Sequence, residues 1–105
     1  MIYKEILKLK VMLEEANIPF DFEPLHGGYI LIIRSKKRRL YDCIEHMGSY
    51  GNEQDKLEIM GALTREEYKN DSVLGDLSAE EVFRRFKYCY EHNTSIYVES
   101  REVES

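Results

Sequence analysis

An alternating segment and an apolar run joined by a glycine pair commit this chain to antiparallel sheet. Phe20-Asp-Phe-Glu23 alternates apolar with charged residues, runs on through Pro24-Leu25-His26, and meets Gly27-Gly28 before Tyr29-Ile-Leu-Ile-Ile-Arg34. Period two is the pattern of a strand with one buried face, and glycines reach the positive φ that a reversal needs. The basic run Ser35-Lys-Lys-Arg-Arg39 then predicts the solvated tip of a second hairpin, leading into a third strand from Leu40 to His46. Three consecutive antiparallel strands make a meander.

Helical periodicity flanks the meander on both sides. Ile2, Ile6, Leu9, Leu13 and Ala16 recur at spacings of three and four, with Lys4, Lys8, Glu14 and Glu15 mostly on the other side. Leu7, Val11 and Met12 widen the stripe and predict a helix packed along much of its surface, stopped at Asn17-Ile-Pro19. After Gly48-Ser-Tyr-Gly51, Asn52 or a neighbour is expected to cap a short helix containing Leu57, Ile59, Met60 and Leu63. Thr64-Arg-Glu-Glu67 and Ser78-Ala-Glu-Glu81 each have the form of a capping box, in which a hydroxyl and a carboxylate satisfy orphan N–H groups reciprocally. The second box opens the strongest helix, with Val82, Phe83, Phe86, Cys89 and Tyr90 opposed by Arg84, Arg85, Lys87 and Glu91, ending near Asn93.

No βαβ alternation occurs, so the fold class is α+β: an N-terminal helix, a three-stranded antiparallel meander, and two to three C-terminal helices packed on one face. At 105 residues, the chain has room for one core, expected over residues 1–97, with a polar and frayed tail over 98–105. No apolar run is long enough to cross a bilayer, which predicts a cytoplasmic protein with no membrane partner. In that compartment Cys43 and Cys89 are expected as reduced thiols in or near the core. The net charge of −5 is uneven: residues 1–51 carry eight Lys/Arg against seven Asp/Glu, and the remainder seven against thirteen. That acidic half argues against broad nucleic-acid binding.

Three constellations carry chemistry. His46, Ser49, Tyr50 and Asn52 form a polar cluster beside two glycines, where an imidazole and a phenol could bind a ligand or move a proton. A turn whose histidine bonds the backbone and whose tyrosine packs on the first helix is the simpler explanation, since a strand-to-helix turn needs glycines anyway, and neither Asp42 nor Glu45 pairs securely with His46 on a strand. Lys36, Lys37, Arg38 and Arg39 could grip phosphates, although such a run is more often a solvated turn. Cys43-Ile-Glu-His46 and Cys89-Tyr-Glu-His92 formally supply the four ligands of a tetrahedral zinc site. Strand alternation separates Cys43 from His46 while a helix sets Cys89 and His92 on one face, so the geometry disfavours zinc and no metal or cofactor is expected. No P-loop, dinucleotide-binding glycine pattern, HExxH or nucleophile elbow is present, and no catalytic residue is assigned. Phe83, Phe86, Tyr88 and Tyr90 are expected as core and helix-flank residues rather than a stacking platform.

His46-Met-Gly-Ser-Tyr-Gly51, Leu57-Glu-Ile-Met-Gly61 with Leu63-Thr-Arg-Glu-Glu67, and the segment Asp71-Ser-Val-Leu-Gly-Asp-Leu-Ser-Ala-Glu-Glu-Val-Phe83 resemble small uncharacterised proteins carried by phages and prophages of Gram-positive bacteria. The likeness is densest over residues 42–93. It implies a mobile-element origin and this type of fold, and it carries over no catalytic residue. The leading expectation is a non-catalytic accessory protein that binds a host or phage protein, with a homodimer through a helix face as a further arrangement. The alternatives are a nucleic-acid-associated protein using residues 36–39, and a small metal-dependent or acid-base enzyme centred on His46.

Overall fold

A computed structural model describes residues 4–25, 27–34, 40–45 and 56–99. Helix α1 (Lys4–Glu15) leads into strands β1 (Asp21–Leu25), β2 (Gly28–Arg34), β3 (Leu40–Glu45) and β4 (Leu57–Met60), followed by α2 (Arg65–Asn70), β5 (Val73–Leu77) and α3 (Ala79–His92). The fold is α+β, and its sheet has five strands in the order β1-β2-β3-β4-β5, every neighbouring pair antiparallel.

The meander is therefore longer than the three strands expected from sequence. Leu57 to Met60, expected in a short helix, is β4: Leu57 and Ile59 are buried while Met60 is 51% exposed, the alternation of a strand with one wet face. Gly61 at φ 91° and Ala62 at φ 60° then turn the chain away, a conformation no helix continues through. The fifth strand, Val-Leu-Gly-Asp-Leu, holds two residues that disfavour strands and pairs with β4 through a register shift between Leu57 and Ile59, which hides its periodicity.

Local signals set the helix ends. Asn17 takes φ 59°, and its N–H and that of Ile18 donate to the Glu14 and Leu13 carbonyls; α3 ends the same way, with Asn93 at φ 54° and Thr94 N–H donating to the Cys89 carbonyl. Both are Schellman endings, with asparagine in the left-handed position glycine usually fills. Thr64 opens α2 with a complete capping box. Ser78 caps α3 but Glu81 does not complete its box, since its carboxylate is taken by Arg84 and Arg85.

The core lies between one sheet face and the pair α1 and α3. Phe22, Leu31, Cys43, Ile59 and Leu74 form one cross-strand row of that face, and Ile33 with Tyr41 belongs to a second. Ile6, Leu9 and Leu13 descend from α1, and Val82, Phe86 and Cys89 from α3, all fully buried. Carboxylates distant in sequence tie the helices down: Glu45 accepts from Ile6 N–H at 3.0 Å, and Glu5 accepts from Ala79 N–H at 2.7 Å, each at a helix N-terminus that favours negative charge. Leu7 and Val11 do not join the core as expected but remain 42% and 49% exposed, because α1 is covered on only one side. The short α2 buries none of its residues. No described helix is long and apolar enough to cross a membrane.

Candidate functional site

His46, Ser49, Tyr50 and Asn52, and the basic Lys36, Lys37, Arg38 and Arg39, lie outside the described residues. The zinc reading is testable in part. Cys43 and Cys89 are free and fully buried, each among apolar neighbours of the core. Burial pushes the Cys43 thiol well up and Cys89 up to about 12, so both are protonated at neutral pH. His92 does not share the face of Cys89 as the helical spacing suggested. It is exposed, stacks on Tyr88 at 4.0 Å, and its Nδ1–H donates to the Tyr88 carbonyl at 2.8 Å. Among the described residues no group of three His, Cys, Asp or Glu side chains converges on a metal position.

One buried polar assembly was invisible to periodicity. Arg85, expected on the solvated side of α3, has a side chain only 4% exposed. Its Nη1 and Nη2 donate to the two Glu67 oxygens at 2.8 and 2.9 Å, its Nε donates to Glu81 at 2.8 Å, and Nη1 also reaches the Ala62 carbonyl. The guanidinium lies 4.9 Å from the centre of the Tyr97 ring. The two-pronged bond to Arg85 holds the Glu67 carboxyl below its ordinary range, helped by the Thr64 backbone N–H. Burial works against ionised Glu81, but Arg85 and Arg84 more than offset it and lower its pKa as well. Tyr97 N–H donates to the Leu63 carbonyl and Tyr68 Oη–H to that of Ser95, so the strap after α3 is fastened to α2 and its approach. All three guanidinium nitrogens of Arg85 donate within the fold, which makes the cluster a structural clamp.

Beside the strap, Met12, Phe83, Tyr88, Tyr97 and Val98 line a groove of about 440 Å³. That volume falls in the range of small-molecule pockets. Its cations are already matched, Lys87 with Glu91 at 3.0 Å and Arg84 with Glu81.

The outward face of the sheet is different. An antiparallel sheet with helices on one side normally turns polar residues outward. Here cross-strand register places Ile32, Asp42, Met60 and Val73 in one row and Ile30, Ile44 and Glu58 in the next, with Asp21 and Glu23 beside them on β1. Ile30, Ile32, Ile44 and Val73 are only partly covered, and no described helix lies over them. Asp42 stands directly between Ile32 and Met60. Burial raises its pKa, with no cation among the described residues to bring the value back down. Arg34, which register places on this face, is paired with Asp21 at 3.1 Å. The sequence held these residues in plain view, but strand register was needed to bring them together. No protein-family model, curated protein or solved structure matches the chain.

Proposed function

We propose that this chain is a non-catalytic protein-interaction module, an accessory protein of a phage or prophage, that receives a partner protein on the open face of its sheet. The observation that supports this reading is the apolar patch of Ile30, Ile32, Ile44 and Met60 on the side of the sheet away from both long helices. Apolar surface that the fold leaves only partly covered favours association, since covering it releases ordered water. The sheet edges are less suited to the task. Edge strand β1 carries Pro24, Asp21 and Glu23, and edge strand β5 has a register shift and Asp76 at φ 60°, features that blunt strand addition.

The test is affinity capture from a Gram-positive lysate, with and without nuclease, using wild-type and Met60→Glu baits of equal thermal stability. A stoichiometric protein that survives nuclease and is lost from the Met60→Glu bait is the expected result. Capture that vanishes with nuclease would overturn the reading in favour of nucleic acid bound through residues 36–39.

A further inference from the structure

Resting on that reading, we infer that the open sheet face accepts a basic amphipathic helix, whose apolar side covers Ile30, Ile32, Ile44 and Met60 and whose lysine or arginine pairs with Asp42. Three features argue for this occupant. The first is charge: Asp21, Glu23, Asp42 and Glu58 share the face, and Arg34, the cation that register sets beside them among the described residues, is already paired with Asp21. A twofold pairing of two copies would set carboxylates against carboxylates, and a phosphate backbone would meet the same repulsion. The second is position. Asp42 is flanked across the strands by Ile32 and Met60, so anything that covers them desolvates the carboxylate further, and only a cation brought by the partner offsets that cost. The third is size. From Ile32 to Val73 the row crosses four strands, about 14 Å, which a helix of roughly ten residues spans. The other face of this sheet is covered by helices in the same way.

The experiment uses the full chain and two synthetic peptides of about 14 residues, both with leucine at helical spacing, one carrying lysines and the other glutamates on the polar side. Titration is followed by backbone amide NMR and by calorimetry, with wild type, Asp42→Asn and Met60→Glu. The expected result is that the lysine peptide shifts amides of Ile30, Ile32, Asp42, Ile44 and Met60, the glutamate peptide shifts none, and Asp42→Asn weakens binding about tenfold. Asp42→Asn removes a carboxylate that the fold desolvates without a partner, so it should fold at least as stably as wild type, and lost binding would not reflect unfolding. If Met60→Glu abolishes binding while Asp42→Asn leaves it unchanged, the cation pairing is refuted and the interaction-module reading stands. If the lysine peptide moves other residues and leaves this face unperturbed, the docking surface itself is refuted. If the face shifts on dilution alone, alongside a dimer in sedimentation, its occupant is a second copy and the basic-helix inference falls.

Discussion

At the scale of single residues, the contrast between Arg85 and Tyr41 is instructive. Both are buried polar groups, but Arg85 donates from all three guanidinium nitrogens whereas Tyr41 Oη has no hydrogen-bond partner among the described residues. Tyr41→Phe therefore removes a desolvated hydroxyl that forms no bond while keeping the ring packed 5.3 Å from Phe86, and urea unfolding should show stability unchanged or raised by up to about 1 kcal/mol. A loss larger than that would mean that the hydroxyl is hydrogen-bonded. Glu67→Ala leaves Arg85 buried with only Glu81 to neutralise it and also breaks the Thr64 capping box, for a loss of about 3 kcal/mol or more. Arg85→Met replaces the charge by an apolar chain of similar length and frees two carboxylates that can reach water, so it should cost less than Glu67→Ala. The order of the two urea midpoints checks the clamp, and the reverse order would refute it.

At the scale of elements, the β4–β5 pair is where local preference and the observed backbone disagree. Asp76 sits at φ 60° on an exposed edge strand, a conformation that costs a residue with a Cβ and costs glycine nothing. Asp76→Gly should raise stability by about 0.5–1 kcal/mol, the relief of backbone strain exceeding the extra freedom of the unfolded chain. A lower melting temperature for that variant would show that the aspartate side chain, not the backbone, sets this turn. The same reasoning explains why β4 and β5 escaped the periodicity of the sequence. β4 is four residues long, too short to separate period two from period 3.6 when Leu57, Met60 and Leu63 also fit a helix. β5 carries its glycine and its left-handed aspartate inside the strand.

Across the whole molecule, the clamp makes stability depend on acid. Glu67 and Glu81 have lower pKa values folded than unfolded, so their contribution is complete above the ordinary glutamate value of about 4.3 and is lost as pH falls through the depressed folded values. Asp42 acts with the opposite sign, because its raised folded pKa opposes folding at neutral pH and that opposition ends when it protonates. The clamp therefore predicts a urea midpoint that falls between pH 5 and pH 3, with a shallower fall in Arg85→Met. An equal slope in both proteins would place the acid sensitivity elsewhere. The sequence by itself determined what depends on neighbours along the chain: the first hairpin turning at Gly27, the stops at Asn17 and Asn93, the caps at Thr64 and Ser78, and the burial of Phe86 on an amphipathic helix. Only the tertiary structure decided the five-strand count, the turning inward of Arg85 toward a glutamate 18 residues away, and the seating of Asp42 between Ile32 and Met60. The physical reason is range. Caps and turns are settled within a few residues by hydrogen bonds to their own backbone, whereas strand register and the pairing of a buried charge are settled by partners that reach the site only once the chain has closed on itself.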